Sequence, residues 1–137
     1  MSLLSIFDVA GSGMAAQSAR LNTTASNMAN ADSVASSEAT AYHAKQPMFS
    51  AVQQMVNGQM ENSGVRAVGV SDSQAPIQSR YEPSNPMADT NGYVYSSNVN
   101  PVDELVNMIS ASRSYQNNVE VMNSAKQLMQ KTLDLGK

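Results

Sequence analysis

The sequence predicts an α+β fold in which long N- and C-terminal helices pair as a coiled coil around a small β-rich insert. Three observations carry this expectation. A heptad pattern of apolar residues stands at each end of the chain, and between them the period falls to two while prolines and glycines accumulate. The expected divisions are an N-terminal helix within 1–33, an insert over 34–99 and a C-terminal helix within 100–137.

The C-terminal stretch opens Asn100-Pro101-Val102-Asp103. Asn caps a helix well, and Pro suits the first turn because its missing N–H would be unpaired there anyway. Asp103 and Glu104 fall at the positive end of the helix dipole, and Lys126, Lys131 and Lys137 toward the negative end. After Pro101 nothing breaks the run before Gly136, so a helix roughly 50 Å long is expected at ~1.5 Å per residue. Leu105, Met108, Ser112, Tyr115, Val119, Met122, Lys126, Met129 and Leu133 alternate in steps of three and four, and all but Ser112 and Lys126 are apolar or aromatic. That is the seam of a helix lying along another helix. A looser stripe of Val106, Ile109, Val121, Ala125, Leu128 and Leu135 widens the apolar face.

The N-terminal stretch, with Ser2 as its cap, repeats the pattern. Leu4, Phe7, Met14, Leu21 and Met28 alternate with the small residues Gly11, Ser18 and Ala25. Gly11, Gly13, Asn22, Thr23, Thr24, Asn27 and Asn30 make this a poor isolated helix. Small residues do let a second helix come close. The seam serves either a helix on its own domain's core or a coil between molecules. The apolar area along the two seams is too small to offset the backbone entropy of ordering both ends. Further neighbours are therefore expected to order them, which points to an assembling subunit.

In the insert, residues 32–37 read as a loop. Residues 41–45 look strand-like, and the segment after Pro47 reads as helix or extended chain. Asn57-Gly58 marks a turn. Val65 to Val70 alternates as a half-buried strand, and Ile77 to Tyr81 reads as another. Pro83 and Pro86 forbid helix and predict an extended, polyproline-like path over Tyr81–Asp89. Asn91-Gly92 is a turn before a short strand, Tyr93-Val94-Tyr95.

Composition removes several functions. Charged residues make up 14% and aromatics 5%, and the net charge of −3 provides no basic field for nucleic acid. There is no cysteine, hence no thiol chemistry and no thiolate metal site. The single histidine, His43, has no second histidine to build a site with, and hydrogen bonding accounts for it better than catalysis. Asp103 and Glu104 are explained by helix capping, and Gly11-Ser12-Gly13 lacks the third glycine and the preceding strand of a phosphate loop. No enzyme chemistry and no cofactor are expected. No stretch approaches the ~18 apolar residues of a membrane span, so no membrane insertion is expected. No cleavable signal is visible either, since the first basic residue is Arg20.

Two stretches carry a resemblance. Ser12-Gly13-Met14-Ala15-Ala16-Gln17-Ser18-Ala19-Arg20-Leu21, followed by Ala25-Ser26-Asn27-Met28-Ala29-Asn30-Ala31, is similar to the N-terminal signature of bacterial flagellar rod and hook proteins. Tyr81 to Asp89, Asn91 to Val94, and Asn98-Val99-Asn100 through Ser112-Arg113-Ser114-Tyr115 with Asn118 resemble the proximal rod subunits of that family. The match runs from Leu3 to Gly136 and is weakest over Ser33–Ser63. The resemblance implies a structural subunit exported through the flagellar type III apparatus without a cleaved signal. It would be assembled in the periplasm with the help of a rod-cap protein, and its partners would be other rod subunits and copies of itself. The end helices would form the inner tube of the drive shaft that turns the hook. On that reading the assembly interface comprises Leu4, Phe7, Met14, Leu21 and Met28 with Leu105, Met108, Tyr115, Val119, Met122, Met129 and Leu133. A soluble coiled-coil adaptor or export chaperone is the alternative.

Overall fold

The computed structural model describes residues 3–56 and 59–136, with side chains described at all of these except 3, 4, 56 and 59–62. The expected Ser2 cap, the Asn57-Gly58 turn and the Leu4 side chain lie outside the described residues. Helix α1 spans Leu3–Ala29 and helix α2 spans Pro101–Leu135. Between them lie strands β1 (Val34–Ala35), β2 (Lys45–Val56), β3 (Gln59–Asp72), β4 (Gln78–Tyr81) and β5 (Tyr93–Ser96), with one 3₁₀ turn at Glu38–Thr40. The molecule is thus α+β, with its helices at the two ends.

The start of α2 is as the sequence dictates: Asn100 has extended backbone, and its side chain accepts from Val102 N–H at 3.0 Å. Helix α1 has little intrinsic helicity and takes its order from packing, along α2 on one side and across the β2–β3 hairpin on another. The helices run antiparallel. The Arg20 guanidinium donates to Asn107 Oδ1 at 3.1 Å, Gly13 faces the Asn118 amide, and Gly11 faces the Met122 methyl. The positions rise on α1 as they fall on α2. At Gly13 an added Cβ would stand 3.1–3.2 Å from the Asn118 side chain, tighter than the 4.0 Å to Met122 at Gly11. Ala10, Ala111 and Ala125 are buried. Small residues bring the two backbones together, as in other close helix crossings.

Strands β2 and β3 form one long antiparallel hairpin, and the chain after Pro47 is extended. Its register shifts at Met48/Phe49 and again at Val52/Gln53. At the second irregularity Gly64, with φ +151°, rests on α1: Val65 N–H donates to Ser12 Oγ at 3.1 Å, and Ser12 Oγ donates back to Val9 O at 2.9 Å. A Cβ at Gly64 would overlap Ser12 Oγ, so this crossing needs glycine both for the turn of the backbone and for the space.

The other sheet has strand order β1-β5-β4, all antiparallel, with Val94 fully buried at its centre. Tyr81 and Tyr93 meet edge to face at its end, with ring centroids 5.3 Å apart.

Four expectations in the insert are corrected. Val34–Ala35, read as part of a loop, pairs with β5. Val65–Val70 is strand but not half-buried: residues 66–70 are exposed on both faces, because only the Gly64–Val65 stretch of β3 rests on α1. Residues 41–44 are not strand. Ala44 N–H donates to the Asn98 side chain at 2.6 Å and Ala44 O accepts from Ser73 N–H at 2.7 Å, so a side chain takes the place of a ladder partner. Tyr81–Asp89 is not an extended path. Asn85 N–H donates to Glu82 O at 3.0 Å and Ala88 N–H to Asn85 O at 2.9 Å, closing two successive turns with Pro83 and Pro86 each at the second position. Proline's fixed φ serves a tight turn as well as an extended chain, and here Asn85 decides, its side-chain oxygen accepting from Met87 N–H at 3.0 Å.

Candidate assembly surface

Asparagines hold the helices and the insert together. Asn27, 1% exposed at the end of α1, uses both ends of its amide on one backbone unit. Its Oδ1 accepts from Lys45 N–H at 2.8 Å and its Nδ2 donates to Lys45 O at 2.9 Å, while the Tyr42 hydroxyl donates to the same Oδ1 at 3.1 Å. The side chain pairs with the start of β2 as a neighbouring strand would. Asn98, just before α2, ties the other side of the hairpin base. It accepts from Ala44 N–H and donates to Ala75 O at 2.8 Å. His43 closes the same corner, its Nδ1 donating to Ser73 O at 3.1 Å. The hairpin therefore leaves the helix pair at a fixed root.

The two faces of α2 differ. Toward α1 it presents small, polar or flexible side chains: Ala111, Asn118, Met122 and Ala125. About half a turn away, at ~100° per residue, stand Val102, Leu105, Val106 and Ile109, exposed at 68, 48, 62 and 46%. Val121, Leu128 and Leu135, one heptad apart, form a second exposed apolar line about a quarter turn round the helix from the first. Large aliphatic side chains are thus turned outward along a helix of 35 residues. Such a surface marks an interaction site.

The residues expected at an interface are distributed between these environments. Phe7, Met14, Leu21, Met108, Val119, Met122 and Met129 are half-buried, whereas Met28, Leu105, Tyr115 and Leu133 are exposed. The fully buried positions of α1 are Ala10, Ala16, Thr24 and Asn27, which stand off the heptad line. Sequence reasoning passed over Ala10, Ala111, Asn27, Asn98 and Gly64. The small size of the alanines hides them from an apolar pattern, and the asparagines act only through residues distant in the chain.

Clefts flank the helix pair. One, of ≈ 510 Å³, is lined by Ile6, Val121, Ala125 and Leu128. Another, of ≈ 440 Å³, lies where α1, β2 and α2 meet and is lined by Arg20, Lys45, Pro47, Phe49, Glu104 and Asn107. Among the described residues no group of acids and histidine is placed to hold a metal, and no helix is long and apolar enough to cross a membrane. Glu82 has its acidity raised: a hydrogen bond from the Asn85 amide, then one from Arg80, hold its carboxyl below the usual range. Its side chain is 34% exposed and braces the proline turns.

Comparison with known proteins bears on the whole chain. The family "Flagella basal body rod protein" matches residues 7–35, and "Flagellar basal body rod FlgEFG protein C-terminal" matches residues 90–135. These are the two helical ends with their junctions. The flagellar basal-body rod protein FlgC of Salmonella typhimurium is 54% identical over 136 residues, covering 99% of each chain. That of Yersinia enterocolitica is 55% identical over 136 residues, again with 99% of each covered. That of Buchnera aphidicola from Acyrthosiphon pisum is 46% identical over 137 residues, with 98% of each covered. From end to end, then, the chain belongs to the FlgC family of flagellar basal-body rod proteins, the structural subunits of that rod.

Proposed function

We propose that this subunit builds the proximal rod by coiled-coil packing of its end helices against those of neighbouring subunits, and that the shaft so formed carries torque to the hook. The observation that supports this best is the outward face of α2, where Val102, Leu105, Val106 and Ile109 stand exposed opposite the side that meets α1. They are about half exposed, so burying the rest between subunits stabilises the assembly by about 1–2 kcal/mol per side chain. The interface comprises the heptad residues of both ends: Leu4, Phe7, Met14, Leu21 and Met28 on α1, and Leu105, Met108, Tyr115, Val119, Met122, Met129 and Leu133 on α2. Residues 1–33 and 100–137 form the tube and 34–99 the insert outside it. The subunit is exported through the flagellar type III apparatus without cleavage and added in the periplasm under the rod-cap protein. The low helix propensity of α1 suits a chain that must be threaded before it folds.

The test is Leu105→Asp. The side chain is half exposed in the single chain, so unfolding in urea should move by no more than about 0.5 kcal/mol, while motility and recovery of the chain in basal bodies should be lost. Normal motility in this variant overturns the interface.

A further inference from the structure

The hairpin of β2 and β3 has two outer edges, and the direction of the backbone groups on the β2 edge follows from its root. Lys45 turns its N–H and C=O away from β3 and onto the Asn27 side chain, at 2.8 and 2.9 Å. Backbone groups along an antiparallel strand point to alternate edges, so Pro47, Phe49 and Ala51 turn theirs outward as well. The partner strand agrees: Val65, paired with Ala51, directs its N–H away from β2 to Ser12. Among the described residues β2 has β3 as its one ladder partner, which leaves Phe49 and Ala51 on an open edge. The Ser50 hydroxyl reaches Ala51 O only at 3.4 Å.

Proteins guard such edges with charge, with proline or by keeping them short. The other edges of this molecule are guarded. β1 is two residues long, β4 carries Arg80 and runs into the Pro83 turn, and β3 carries Arg66 and rests on Ser12. β2 differs. No charged residue occurs from Gln46 to Met60, and Met48, Phe49 and Val52 stand 45, 39 and 38% exposed on its two faces. Pro47 closes the outward position next to the root and leaves the following two. A two-stranded ribbon is marginally stable by itself in water. Asn27 acts as the first residue of a third strand, and the ladder it starts is not continued.

We propose that an extended, uncharged segment of a different rod component adds a strand to β2, exchanging backbone hydrogen bonds with Phe49 and Ala51. Its alternate side chains lie beside Phe49 on one face and beside Met48 and Val52 on the other, so the segment is apolar on both faces. A second copy does not fit. The described strands of this chain are already paired, and joining the same edge of two copies needs a two-fold axis, which subunits that all point one way along a shaft do not have. The inference rests on the reading of the chain as a rod subunit, and it gives the insert a contact of its own beside those of the helices.

Proline separates the edge from the ladder. Ala51→Pro removes an outward N–H and leaves the bonds between β2 and β3 in place, whereas Ala51→Val keeps the N–H. Ala51→Pro should lower the number of basal bodies per cell about tenfold, and Ala51→Val should stay within about twofold of the unaltered chain. Equal assembly of the two variants overturns the proposal. Hydrogen exchange of the unaltered chain keeps it testable if proline disturbs the ribbon itself. The Phe49 and Ala51 amides should exchange about a hundredfold more slowly in isolated basal bodies than in the purified chain, while Ser50, which points to β3 in both, should change about tenfold at most. No slowing at Phe49 and Ala51 overturns the added strand. A photo-reactive phenylalanine analogue at position 49 identifies the neighbour in basal bodies. Linkage to an uncharged segment of another component is expected; linkage of two copies, or to a charged segment, overturns the proposal. Each of these failures leaves rod membership standing, whereas basal bodies that lack the unaltered chain altogether overturn both.

Discussion

The two faces of α2 differ in how far they are covered within one chain. Its inner face holds Ala111 and Ala125 buried beside half-buried Met108, Asn118, Met122 and Met129, and its outer face leaves Val102, Leu105, Val106 and Ile109 exposed. In most domains large aliphatic residues are inside. Here the small residues of the inner face, with Gly13 opposite Asn118, let the two helices come close. The outer face holds apolar area in reserve. In the proposed rod that area is covered by neighbours, and folding is completed by assembly.

Three substitutions separate the contributions within the chain, against the neutral effect on stability expected for Leu105→Asp. The largest effect belongs to Met122→Asp. The methionine is half-buried against Gly11, and a carboxylate there has no partner. A loss of about 3 kcal/mol in urea unfolding is expected, together with loss of motility. A stability equal to that of Leu105→Asp would show that the inner face is no more packed than the outer one. Next comes Asn27→Ala. It leaves Lys45 N–H and C=O without their side-chain partner in a buried place, at a cost of about 2 kcal/mol. Hydrogen exchange at Lys45 should speed up while exchange in the middle of α2 does not change. Equal acceleration in both would mean that the hairpin root and the helix pair unfold as one unit. The smallest is Gly13→Leu, which forces the helices apart at Asn118 and should cost about 1–2 kcal/mol. Adding Asn118→Ala should recover most of that loss, and failure to recover would place the strain on the hairpin side of α1.

Much of this architecture is legible in the residues. The Asn100-Pro101 start of α2, the length of both helices and the extended course of Val65–Val70 follow from capping chemistry, the lack of helix breakers and side-chain period, although that strand is exposed on both faces and not half-buried. The residues proposed for assembly fall on heptads, but which side of each helix would be covered within one chain was not legible. A heptad pattern records the area available, and both a chain's own partner and its neighbours can use it.

By itself the sequence determined that two long amphipathic helices stand at the ends, that a β-rich segment lies between them, and that no catalytic group is assembled by spacing. The tertiary structure alone decided three things. Asn27 and Asn98 serve as strand partners, Gly64 lets the hairpin rest on Ser12, and the proline pair turns instead of extending. The reason is the same each time. A short polar or absent side chain has no fixed preference of its own, and its role is set by whichever backbone group the fold brings within about 3 Å of it.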